Sequence, residues 1–341
     1  MNENLDSLGI GKALELFPEQ IKTTFEQALS SNIEKLEFDS VVVSGMGGSS
    51  NAGKIIQSIA EQNNKIPMVV YNDYGLPGWV NENTLVVANS YSGNTEETVS
   101  AMEVVKNKNC KVIGVTTGGI VADLIRSGEI KGAIVEAKDT NPSGYPKSGL
   151  GLSFGALLGA LIKVGFINIT KEELYESLDE IVEIRKNWDV LDKAKEMDGK
   201  LPILFSSRPL LGPLNAGRNA TCEIGRVFTI FYDFPEVNHV LIEATQKPDF
   251  IKEKMKYLFF ESDFDNERIK IRYKVTKEIF DRQGLSYLSY KLKGKTFLTQ
   301  CLEIPHYCAW LGYHFSILRN EDPGPEPWII ELKEALKQPV H

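Results

Sequence analysis

Ten residues, "NSYSGNTEET" (89–98), carry four serine or threonine hydroxyls and one glycine between an apolar run, "TLVVA", and a helix-like run, "VSAMEVVK". Ser90, Ser92 and Thr95 fall just before or at the start of that helix. A phosphate monoester needs several donors converging on its terminal oxygens. Hydroxyls supply donors without fixed charge, and a helix N-terminus adds backbone N–H groups and a partial positive charge. Helix capping alone would need a single such residue. Three hydroxyls with Gly93 point instead to a phosphate seat. A second stretch, "SGMGGSSNAG" (44–53), places glycines at 45, 47 and 48, where they permit close backbone approach. Gly47, Gly48 and Ser49 are therefore expected to line the same ligand. The dinucleotide fingerprint is only partly met, because Ser50 occupies the place of its third glycine. Cys301, His306 and Cys308 sit close together in "FLTQCLEIPHYCAWLGYHF", but that apolar, aromatic setting reads as core rather than a metal centre. No metal and no cofactor is expected.

These loops need elements to hold them. Short β-branched or apolar runs at 40–45, 66–73, 84–90, 110–117 and 132–137 alternate with helical patterns at 51–62 and 95–109. That alternation predicts a parallel sheet with helices on both faces, and ligands then bind beyond the carboxyl ends of its strands. A Pro/Gly/Ser-rich connector, "KDTNPSGYPKSG" (138–149), leads into an apolar helix at 150–165 and a charged helical stretch at 171–199. The alternation then restarts: strands at 201–207, 256–262 and 286–294, helices at 215–228 and 266–284. The fold class is α/β, with two units in tandem over 1–150 and 151–341.

With 341 residues, two domains are the default. A net charge of −8 argues against nucleic acid as the main ligand but leaves room for a small anion. No apolar run is long enough to span a bilayer, and the N-terminus lacks the basic-then-apolar pattern of a signal peptide. The four cysteines form no CxxC pair and suggest no disulfide framework. The expected setting is the cytoplasm, away from membranes.

"VVVSGMGGSS", "NSYSGNTEET" and "VIGVTTGG", in that order, resemble a sugar isomerase (SIS) domain and its phosphosugar site. The second half resembles one SIS family in particular, the bifunctional phosphoglucose/phosphomannose isomerases. "NATCEIGRVFTIFYDFPEVNHVLIE" (219–243) is similar to that family's glutamate–histidine segment, with Glu223 and His239 at the family's spacing, and "DPGPEPWIIELKEALK" (322–337) is similar to its C-terminus. Cys222 and Ile224 stand where the family has asparagines beside its glutamate. Arg226 stands for its lysine, Val240 for an asparagine, and Lys147 falls at its arginine.

The resemblance implies two tandem SIS-type domains, each a parallel sheet flanked by helices, and an aldose–ketose isomerase. Its substrates would be glucose 6-phosphate and/or mannose 6-phosphate, with fructose 6-phosphate as the ketose and a cis-enediol between them. It assigns the C1/C2 proton transfer to Glu223, ring opening to His239 and stabilisation of the enediolate oxygen to a cation. Lys147 is the first choice for that cation; Arg218, Arg226 and Lys333 are others, and Lys333 also counts as a substrate contact. A homodimer with shared active sites is implied, His239 crossing from the partner. The altered surroundings of Glu223 also fit a sugar-phosphate-binding protein without turnover, or an SIS isomerase of another phosphosugar.

Overall fold

The computed structural model describes residues 5–136 and 139–336. Two helices, α1 (Ile10–Glu15) and α2 (Phe17–Leu29), precede the first sheet. Pro18 lies in the first turn of α2, where its missing N–H costs nothing. The chain then alternates: β1 (Ser40–Ser44), α3 (Gly47–Asn63), β2 (Met68–Tyr71), β3 (Thr84–Ser90), α4 (Glu96–Lys108), β4 (Lys111–Thr116), α5 (Gly119–Arg126) and β5 (Lys131–Ile134). The expected fifth strand at 132–137 is shorter than anticipated, and position 137 lies outside the described residues. The strand order is β2-β1-β3-β4-β5 and every pairing is parallel. Every residue of β3 is buried, as a central strand covered on both faces must be.

Three helices follow: α6 (Leu150–Lys163), α7 (Lys171–Arg185) and α8 (Val190–Met197). The apolar α6 packs on α2, on α3 and on strands β4 and β5. The charged stretch forms two helices rather than one. α7 opens on a capping box, in which Thr170 Oγ1 accepts from the Glu173 N–H while the Glu173 carboxylate accepts from the Thr170 N–H.

The second unit runs β6 (Leu201–Ser207), α9 (Leu211–Gly225), β7 (Ile230–Phe234), the one-turn helices α10 (Val237–Val240) and α11 (Ile251–Lys254), β8 (Met255–Glu261), α12 (Glu267–Gln283) and β9 (Tyr287–Lys291). Its sheet is again parallel, in the order β7-β6-β8-β9. The long α13 (Phe297–Leu318) and the C-terminal α14 (Pro327–Leu336) complete it. One apolar core joins both sheets through α2, α3, α6, α9 and α13, and an aromatic core around Phe205, Phe259 and Phe280 fills the far side of the second sheet. Among the described residues no helix is long and apolar enough to cross a membrane.

Candidate active site

The first sheet reverses its strand order between β1 and β3, so their loops leave in opposite directions and open a crevice. Both singled-out stretches sit there. Gly47, Gly48 and Ser49 are not in a free loop as expected but form the first turn of α3. Gly47 has φ 52°, and a side chain there would meet nothing within 4 Å. The Tyr91 N–H donates to Ser49 Oγ (3.1 Å), and Asn89 Nδ2 donates to the Ser49 carbonyl (2.9 Å). The two stretches are therefore bolted together.

Within the hydroxyl loop, Gly93 has φ 70°, and a Cβ there would fall 1.8 Å from the Gly118 carbonyl oxygen. Only glycine lets the loop fold under against the β4–α5 turn. Ser90 is buried; its Oγ accepts from the Gly93 N–H (3.0 Å) and shares a hydrogen bond with Thr95 Oγ1 (2.8 Å). Ser92 is exposed and accepts from the Asn94 N–H (3.3 Å). Thr95 stands at the N-cap of α4, yet its side chain makes no capping bond. Its hydroxyl is turned sideways to Ser90, so the first-turn amides of α4 lack the side-chain acceptor a cap would supply.

Glu223 reaches the same region from the second unit. Asn51 on α3 accepts, through Oδ1, from Asn215 Nδ2 (3.0 Å) and Asn219 Nδ2 (2.8 Å) on α9. This pins α9 along α3. On its other side α9 presses against α13: a Cβ on Gly225 would lie 2.9 Å from Gly312 Cα. Ser316 Oγ donates to the Ile224 carbonyl (2.7 Å), and Arg319 donates to that of Gly225. The helix ends at Gly225 rather than 228, because Arg226 turns left-handed (φ 49°).

Glu223 thus sits in the last turn of α9, half-buried, near the negative end of the helix dipole. Burial is the main cause that raises its pKa from the ordinary 4.5 to about 7, with the Glu326 charge adding to it; Lys147, Arg218 and Lys333 pull the other way. Lys147 lies in a single 3-10 turn, Pro146–Ser148, which approaches Gly48 through the Pro146 carbonyl. The Lys147 side chain is 1% exposed. Its Nζ donates to the Pro323 carbonyl (2.8 Å) and lies 3.4 Å from Glu326 Oε1. Burial pulls its pKa down; Glu326 and Glu223 resist this and Arg226 adds to it.

Lys147, Arg218 and Lys333 therefore all lie near enough to act on Glu223, and the turn that carries Lys147 reaches the glycine turn of α3, which is tied to the hydroxyl loop. His239 belongs to a different element. It is exposed on α10, beyond the edge strand β7, whereas the charged groups acting on Glu223 are Glu326, Lys147, Arg218 and Lys333. His306 is 1% exposed and stacks on Phe17 (4.6 Å between centroids), and Cys301 and Cys308 are buried in the same helix. Among the described residues no cluster of His, Cys, Asp or Glu could hold a metal ion.

The SIS domain family model matches residues 37–122, and the bacterial phospho-glucose isomerase C-terminal SIS domain model matches 190–336. A bifunctional phosphoglucose/phosphomannose isomerase of Caldicellulosiruptor bescii is 30% identical over 94% of this chain and 97% of its own length. The chain belongs to the bifunctional phosphoglucose/phosphomannose isomerase family. Another member, from Thermoplasma acidophilum, is 27% identical over 94% of this chain and 97% of its own. The solved tagatose-6-phosphate ketose/aldose isomerase of Escherichia coli shares the fold at a TM-score of 0.65, with 13% identity, over 92% of this chain and 96% of that one.

The family's SIS-type architecture is present twice, as two parallel sheets flanked by helices. In this member of the bifunctional phosphoglucose/phosphomannose isomerase family the site includes a residue that sequence reasoning passed over, Glu326. It lies between Pro325 and Pro327, where its type alone suggests an exposed turn. Only the return of the C-terminal segment over Lys147 reveals it.

Proposed function

We propose that this sugar-phosphate isomerase interconverts glucose 6-phosphate and/or mannose 6-phosphate with fructose 6-phosphate through a cis-enediol. The observation that carries the reading is Glu223, a carboxyl whose proton affinity lies near neutrality beside a buried lysine. A base that takes the C2 proton and returns it to C1 works best when its pKa matches the working pH. Glu223 removes the C2 proton as the carbonyl oxygen gains negative charge. The Lys147 ammonium stabilises that oxygen, as a fixed cation in a site shielded from water does well. Protonated Glu223 then delivers the proton to C1, while the O2 proton passes to O1 and C2 becomes the carbonyl carbon. The phosphate rests at the N-termini of α3 and α4, with Gly47, Gly48, Ser49, Ser92 and Thr95 around it, Ser90 bracing the loop and Lys333 completing the contacts.

His239 opens the sugar ring, and its exposed place on α10, after the edge strand β7, supports donation to the site of a second copy. We infer a cytoplasmic homodimer that uses neither metal nor cofactor and binds no nucleic acid. A coupled assay with both aldoses tests the reaction. Ketose formation is expected from at least one aldose, with Glu223→Gln reducing turnover at least about a thousandfold, in the range lost when an acid–base group is removed. A Glu223→Gln enzyme as active as wild type would remove the base from the mechanism. Binding of sugar phosphates with no turnover in wild type would leave a phosphosugar-binding protein.

A further inference from the structure

The segment Asp322–Glu326 crosses the site as a strap held from two sides. The Arg226 guanidinium, thrown outward by the left-handed turn that ends α9, donates to the carbonyls of Asp322 (2.7 Å) and Pro325 (2.6 Å). Lys147 donates to the Pro323 carbonyl between them. The Gly324 N–H closes on Asp322 Oδ1 (2.8 Å). Fixed in this way, the strap presents the Glu326 carboxylate, only 12% exposed, to an ammonium that is 1% exposed. A lysine buried so fully sheds its proton unless an anion stays beside it. A neutral amine could not stabilise an enediolate.

We propose that Glu326 is a positioning residue of this site: its carboxylate holds the Lys147 ammonium against the Pro323 carbonyl and keeps a fixed negative charge facing Glu223. The proposal rests on the reading of Glu223 as base and Lys147 as enediolate cation. The charged groups in play come from every side. Arg218 shares α9 with Glu223, Lys147 faces it from the 3-10 turn, and Glu326 and Lys333 face it from the strap and α14. Around Lys147 stand Glu326, Glu223 and Arg226. Loss of the Glu326 charge leaves the cations near Glu223 unopposed, so Glu223 ionises at lower pH. It also deprives Lys147 of its partner, so Lys147 loses its proton at lower pH.

Glu326→Gln keeps the shape and removes the charge. Two readouts test it in the full-length protein. The first is the ionisation of Glu223, followed by carbon-13 NMR of its carboxyl and independent of turnover. Its midpoint is expected to fall by roughly one pH unit, as for a carboxyl losing an anionic neighbour. The second is the pH profile of kcat/KM with the accepted aldose, whose acid and alkaline limbs are both expected to move to lower pH, with kcat falling more than KM rises. Glu326→Asp retains the charge one methylene back and should give values between wild type and Gln.

A Glu223 midpoint unchanged in Glu326→Gln overturns the proposal. So does a uniform loss of activity with both limbs in place, which marks a structural role alone. An Asp variant indistinguishable from Gln likewise shows that charge is not the agent. Should Glu326→Gln fold poorly, the Asp variant gives the same readouts: a midpoint lowered in part supports the proposal, and an unmoved one overturns it. If the midpoint moves but no aldose is turned over in wild type, the coupling to Glu223 stands and the isomerase reading fails.

Discussion

At the scale of single residues, the feature that would suit Glu223 to the proposed proton transfer also costs the fold stability. Its pKa rises from the ordinary 4.5 to about 7 in the folded chain. Between those values the folded state holds a proton that the unfolded state has released. Stability therefore falls as pH rises through this window and stays reduced above it. Replacing Glu223 with Gln removes that cost. The variant is expected to be more stable than wild type at pH 8, by up to about 3 kcal/mol from the size of the shift, and no more stable near pH 4. Thermal unfolding at the two pH values measures this; an equal or lower Tm at pH 8 would show that burial does not bear on the carboxylate. Glu223 is singled out in the sequence by its apolar neighbours and by the family resemblance, both of which are local. Lys147 is named there only through the family resemblance, and Glu326 is not legible at all, since it meets Lys147 only when the C-terminal strap returns.

At the scale of elements, the strands of both sheets are legible because doubly covered parallel strands are short apolar runs, such as "TLVVANS" and "LPILFSS". β7 escapes notice because "IFYDF" is an edge strand with its residues mostly half-exposed and an aspartate within it. The start of α3 is misread because two glycines resemble a loop, although a helix N-terminus tolerates them. The two sheets share a topology but differ at the loop after the strand beside the switch. In the first unit this loop is Ser90–Thr95, built of hydroxyls. In the second it is Ser262–Asn266, and there Asp265 already accepts from the Ser262 N–H (3.2 Å) and the Tyr273 hydroxyl (3.1 Å). An internal carboxylate occupies that turn, which supports a single phosphate seat in the first unit. The proposed seat depends on Gly93. Gly93→Ala forces the loop away from the Gly118 carbonyl, and is expected to raise KM for the sugar phosphate at least tenfold, about 1.4 kcal/mol, while kcat changes less. Steady-state kinetics reads the split; an unchanged KM would place the phosphate elsewhere.

At the scale of the molecule, two observations meet. His239 lies exposed on α10, which follows the edge strand β7. α14 has no buried residue although it carries Trp328, 80% exposed, together with exposed Ile330, Leu332 and Leu336. The same helix brings Lys333 close enough to act on Glu223, so its exposed apolar side chains border the site. A second copy arranged about a two-fold axis would cover such a border and deliver a histidine to each site at once. If so, Glu223→Gln and His239→Asn damage different chains of the same active site. Each variant alone is expected to be nearly inactive. In a mixed dimer one site carries both lesions, and the other is built from an intact Glu223 of one chain and an intact His239 of the other. Random pairing makes half of the dimers mixed, each with one working site, so equal co-expression should restore about one quarter of wild-type activity. Two inactive variants that stay inactive when mixed, with mixed dimers demonstrated by mass spectrometry, would confine each site to one chain and overturn the donation of His239 across the dimer.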